Sequence, residues 1–105
     1  MKKGLLFFAA FLFMGWSAFA QTTVFEDNFD SYSSGDYLAE VGNSDFWTTW
    51  SNDPGSAEDG TISTEQTSSA PNSVLIQGTN DNLLLLGNKT TGVYDVNFKM
   101  YIPEG

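Results

Sequence analysis

The chain has no cysteine, no histidine and no arginine, and each absence removes a class of function. Without cysteine there is no disulfide framework, no thiol nucleophile and no acylated cysteine of the lipoprotein kind. Without histidine the usual general base at neutral pH is missing, and without arginine so is the strongest clamp for an oxyanion or a phosphate. Positive charge is scarce altogether, with four lysines against thirteen acids and a formal charge of −9. Nucleic acid and anionic membrane surfaces are poor partners for such a polyanion, because phosphate binding is driven by Lys and Arg displacing counterions. Cations, neutral sugars and basic proteins remain.

What is present begins with an export signal. Lys2 and Lys3 precede an apolar run over residues 5–16, and Ala18-Phe19-Ala20 supplies the small-x-small pattern that a signal peptidase cuts, here before Gln21. The run is shorter than the ~20 residues a membrane-spanning helix needs, so insertion after cleavage is not expected. Residues 1–20 are read as signal peptide and residues 21–105 as the working protein, secreted or held at the cell surface. Losing Lys2 and Lys3 takes the formal charge from −9 to −11 and leaves Lys89 and Lys99 as the only cations.

Past the signal no stretch keeps a helical period, while short β-rich runs alternate with clusters of Gly, Ser, Asn, Asp and Pro. Residues 22–27 (TTVFED) read as a first strand, followed by a loop over 28–36 whose Phe29 and Tyr32 turn back to the core. Residues 37–41 form a short extended piece or, alternatively, one helical turn. Residues 46–50 (FWTTW) and 61–65 read as strands, since aromatic and β-branched side chains suit a half-buried pleat. Residues 73–77 and 83–86 are expected to pair as a hairpin across a five-residue loop, with the four leucines at 83–86 buried on both faces. The cleanest signal is residues 92–102, where Tyr94, Val96, Phe98, Met100 and Ile102 alternate with Asp95, Asn97 and Lys99, the pattern of a strand with one core face and one wet face. The fold class is therefore all-β, an antiparallel β-sandwich or jelly roll. It is expected to be incomplete, because Pro103-Glu104-Gly105 reads as a turn toward a return strand. The chain is accordingly read as the amino-terminal part of a longer exported protein.

Two sets of side chains are candidates for chemistry. Trp47 and Trp50, with Tyr101, have flat faces able to stack on a sugar ring, although residues three apart on a strand point to opposite sides and core burial is the weightier reading for one or both tryptophans. Asp27 and Asp30, and again Asp53 and Asp59, stand among other oxygen-bearing residues, the hard ligands that a structural Ca²⁺ prefers. Neither group follows the D-x-[DN]-x-[DN]-G loop, and solvated acids that keep an exported protein soluble are the weightier reading. Catalysis is not expected. Glycoside hydrolysis needs two carboxyls about 5–10 Å apart, and no E-x-D-x-E alternation is present.

The segments WTTWSNDPGSAED, FEDNFDSYSSGDYL, APNSVLI and GVYDVNFKMYIPEG together resemble the amino-terminal half of a concanavalin A-like, laminin-G-like jelly-roll domain of secreted Bacteroidetes proteins, over most of residues 24–105. Chains of that kind are often exported by type IX secretion, and the domain stands beside adhesins, proteases or polysaccharide-degrading enzymes as a non-catalytic module. The resemblance implies binding of an extracellular polysaccharide or cell-surface glycan, or an adhesive and structural role. The alternative is an accessory domain of a secreted protease or glycosidase whose catalytic part lies beyond residue 105.

Overall fold

The structure, a computed structural model, describes residues 21–105, so the export signal at 1–20 lies outside the described residues. It is a small β-rich fold with one helical turn, α1 (Leu38–Val41), and four short strands, β1 (Trp47–Thr49), β2 (Thr61–Ser63), β3 (Ser73–Leu75) and β4 (Asn82–Leu84). They make two two-stranded antiparallel sheets. In the first, β1 pairs with β4, setting Trp47 against Leu84, Thr48 against Leu83 and Thr49 against Asn82. In the second, β2 pairs with β3, setting Ile62 against Val74 between the Thr61–Leu75 and Ser63–Ser73 pairs.

The ladders run slightly beyond the named strands. Trp50 N–H donates to the Asp81 carbonyl at 3.0 Å and Leu85 N–H to the Phe46 carbonyl at 2.7 Å, which lengthens the first sheet at both ends. Along the other edge of β2, Gly35 N–H reaches the Ile62 carbonyl and Ile62 N–H the Asp36 carbonyl, both at 2.8 Å, with a bridge between Tyr37 and Thr61. Ile62 is thus flanked by chain on both sides, which explains why it is only 2 % exposed. Leu38 and Ala39, on the helical turn that follows, complete the buried hydrophobic core of the described residues.

The helical turn takes the second of the two sequence readings for 37–41. Its amino-terminal cap, Tyr37, has no side-chain oxygen placed to accept from the turn. The carboxylate of Asp59 does that work instead from twenty residues away, accepting from Ala39 N–H at 2.9 Å. The turn closes where Gly42 N–H donates to the Leu38 carbonyl at 2.8 Å. A Cβ at Gly42 would come within 2.8 Å of the Trp47 ring, so glycine here lets the turn over 43–46 bring β1 back close against the end of α1.

Three strand expectations are corrected. Residues 22–27 form no strand. Phe25 instead stacks on Phe46, and the chain turns at once because Phe29 N–H donates back to Asp27 Oδ1 at 2.9 Å, a side-chain bond that competes with a ladder. Residues 73–77 and 83–86 do not pair with each other, since β3 joins β2 and β4 joins β1. The leucine run is not buried on both faces either, with Leu84 37 % and Leu85 45 % exposed. Finally, residues 92–102 form no strand. Alternation marks which face a strand would bury, but a ladder also needs a paired edge, and the backbone of 93–102 bonds to none of the four strands.

Candidate functional site

Two polar centres organise the molecule, each built round one buried or half-buried aspartate. The first is Asp59, 1 % exposed, at the end of the loop leading into β2. Its Oδ1 accepts from Ala39 N–H at 2.9 Å and from Asn82 Nδ2 at 2.8 Å, and its Oδ2 from Ala39 N–H at 3.1 Å and Gly55 N–H at 2.9 Å. Asn82 in turn accepts from Gly60 N–H at 2.7 Å, and Asn80 Nδ2 donates to the carbonyls of Ala57 and Asp59. One carboxylate thereby joins the helical turn, the 51–59 loop and β4. It ties the two sheets to each other.

The second is Asp27. Its Oδ2 accepts from the Tyr32 hydroxyl at 2.8 Å and from the Trp47 indole N–H at 2.9 Å. Around it the rings form a cluster, with Phe25 stacked on Phe46 at 4.5 Å between centroids, edge-on to Trp47 at 5.6 Å, and Phe29 tilted against Trp47 at 6.3 Å. Phe29 and Tyr32 thus do turn back on the body of the protein, as the sequence suggests. Asn72, 5 % exposed, holds their backbone there by donating to the carbonyls of Phe29 and Tyr32 at 2.9 and 2.6 Å. Beside this cluster an open cleft of about 580 Å³ is lined by Phe25, Glu26, Asn28, Ser31, Tyr32 and Asn43 over Asp27.

Tyr32 records the strength of that arrangement. Burial first, then the hydrogen bond to Asp27 and the charge of that carboxylate, push its hydroxyl up from 10.0 to about 12. The folded protein therefore holds this proton more tightly than the unfolded chain does. The stability it contributes is complete below about pH 10 and is lost as the pH rises from there to about 12. Tyr32→Phe should flatten the decline in unfolding midpoint across that window, and a variant that keeps the parent's slope would show that another group causes it.

No family model matches this chain, and neither does any curated protein or solved structure. Of the three ring-bearing candidates, Trp47 is half-buried in the aromatic cluster and its indole N–H is already used. Trp50 is 70 % exposed and Tyr101 64 %, and neither joins the stacked rings. Trp47 thus packs into the ring cluster while Trp50, just past the end of β1, stays exposed, which agrees with the diverging directions of strand residues three apart. Trp50 is nevertheless firmly placed. Its N–H is in the ladder, and the next residue, Ser51, donates through N–H and hydroxyl to Glu58 at 2.9 and 2.7 Å. The backbone donation and then the hydroxyl hold the Glu58 carboxyl below its usual range.

The four aspartates named for Ca²⁺ are not brought together. Among the described residues no group of three or more His, Cys, Asp or Glu is placed to hold a metal. Asp27 and Asp59 give their oxygens to protein donors. Asp53 is exposed, its N–H donating to Thr49 Oγ1 at 2.8 Å. Asp30 keeps one buried oxygen, Oδ1, without a partner. Sequence reasoning did not anticipate the structural work of Asp59, Asn72 and Asn82. The one available signal was a run of short amides and acids flanking apolar positions in a chain without other cross-links.

Proposed function

We propose that the chain is an exported, non-catalytic β-sandwich module of the jelly-roll kind that binds extracellular or cell-surface glycan, with Trp50 as its stacking platform. The observation that carries this reading is the exposed indole of Trp50 at the end of β1, held by the ladder on one side and the Ser51–Glu58 contacts on the other. A large aromatic is normally a core residue, and one left 70 % exposed on a fixed backbone offers a flat apolar face at little cost in ordering. The acidic balance disfavours polyanionic ligands, and neutral sugars suit both the indole and the cleft beside Phe25, where the amides of Asn28 and Asn43 and the hydroxyls of Ser31 and Tyr32 line it with the carboxylates of Glu26 and Asp27. Export rests on the opening twenty residues, and the absence of His, Cys and Arg supports a binding rather than a catalytic role.

The test is retention on a panel of immobilised neutral polysaccharides. Trp50→Ala should weaken retention about tenfold or more with the melting temperature unchanged, since the exposed ring supplies the stacking face and tenfold corresponds to ~1.4 kcal/mol. Retention that survives Trp50→Ala, or that fails for the parent protein on every polysaccharide, would sink the reading.

A further inference from the structure

Residues 93–102 carry the most exposed apolar side chains among the described residues. Val93 is 96 % exposed, Phe98 and Ile102 are each 75 %, and Val96 and Met100 follow at 67 and 68 %. Their backbone groups hydrogen-bond to no other described residue, so both edges of the segment are open. The alternation is nevertheless that of a strand, with Tyr94, Val96, Phe98, Met100 and Ile102 at one parity and Asp95, Asn97 and Lys99 at the other. Such a segment adds to any compatible edge that it meets.

We propose that it is a dimerisation arm, which pairs antiparallel with the same segment of a second copy in the register centred on Asn97. In that register Asp95 stands opposite Lys99 of the second copy, and two-fold symmetry repeats the pair. Tyr94 stands opposite Met100, Val96 opposite Phe98, and Asn97 opposite its own counterpart, so the apolar side chains share one face of the ribbon. A slip of one residue would set apolar side chains opposite polar ones. Centring on Val96 or Phe98 keeps the faces but leaves Asp95 opposite Asn97 or Tyr101, and both charge pairs are lost. The placement of the lysine is informative because Lys99 is one of only two cations past residue 20, against thirteen acids.

The net charge of each copy opposes association, but at physiological ionic strength that repulsion fades over about 8 Å, while the Asp95–Lys99 pairs act in contact. A two-stranded ribbon alone is marginal. The exposed Ile76, Leu84 and Leu85 of each copy are the apolar surface available to cover it.

Sedimentation velocity of the purified chain over a concentration series, at physiological salt, tests the arm. The expected result is a concentration-dependent dimer that Lys99→Glu and Asp95→Lys each weaken about tenfold or more, because each replaces two attractive pairs by two repulsive ones. The double variant Asp95→Lys with Lys99→Glu restores the parent's dissociation constant, since it only exchanges the charges. Neither residue packs on the body, and the near-ultraviolet signal of Trp47 reports that each variant is folded. A dimer indifferent to these substitutions overturns the proposal. So does a monomer at every concentration, whether hydrogen exchange finds the amides of 93–102 protected by their own chain or open and awaiting strands of another sequence.

Discussion

Asp59→Ala should lower the unfolding free energy by about 3–5 kcal/mol, read as the shift in urea midpoint followed by tryptophan fluorescence. The substitution strips acceptors from three donors at once, namely Ala39 N–H, Gly55 N–H and Asn82 Nδ2. A buried donor left without a partner costs about 1–3 kcal/mol. Three such losses would sum to about 3–9 kcal/mol if all were buried and independent, but only the Ala39 donation is fully buried, and those of Gly55 and Asn82 are part-buried. Water entering the volume vacated by the carboxylate would re-satisfy part of them, which sets the upper end. Folded domains hold only about 5–15 kcal/mol in total, and small ones sit low in that range, so the variant should keep only about 0–2 kcal/mol and unfold at low urea. Asp59→Asn separates hydrogen bonding from volume. It keeps one accepting oxygen for Ala39 and Asn82 and turns an amide NH₂ toward Gly55 N–H, so about 1–3 kcal/mol should be lost. An unchanged midpoint for Asp59→Ala would mean that the two sheets are not joined through this carboxylate.

The same residue shows what the sequence could and could not convey. Asp59 reads either as a metal ligand or as a solvated acid, because those are the common roles of an aspartate in an acidic exported chain. Its actual partners are backbone N–H groups at Ala39 and Gly55 and an amide at Asn82, which become neighbours only once the chain has folded. Local chemistry was legible where it decided the outcome locally. The β-branched and aromatic runs at Trp47–Thr49 and Thr61–Ser63 are strands, and Ile62 faces the core while Ser63 does not. Pairing was not legible. The five residues 78–82 look like a hairpin loop, but Asn80 and Asn82 spend their side chains on Ala57 and Asp59, which carries β4 away from β3 and onto β1. Of the candidate site, Trp50 was visible as a residue type but not as the exposed one of a pair, since spacing alone says that Trp47 and Trp50 diverge without saying which points outward.

The sharpest disagreement concerns where the core lies, and it leads to the second large effect. Periodicity places the core face on Tyr94, Val96, Phe98, Met100 and Ile102, whereas the structure buries Leu38, Ala39 and Ile62. Leu38 and Ile62 are each 2 % exposed and belong to segments joined by hydrogen bonds, with Leu38 N–H on the Gly60 carbonyl at 2.9 Å and Gly35 N–H on the Ile62 carbonyl at 2.8 Å. Truncating a buried leucine removes its transfer free energy and leaves a cavity, so Leu38→Ala should lose about 2–5 kcal/mol and Ile62→Val about 0.5–1.5 kcal/mol. A core of so few fully buried side chains has little with which to collapse into the gap, which favours the upper half of the first range. Phe98→Ala and Met100→Ala remove as much or more apolar volume from side chains 75 and 68 % exposed. Measured at concentrations where the chain is monomeric, each should move the unfolding free energy by less than about 0.5 kcal/mol. The contrast between the two sets decides the matter in one urea series. A large loss at Phe98 with a small one at Leu38 would return the core to the strand that periodicity describes, and the sheets would then have to be covered by that strand rather than by α1.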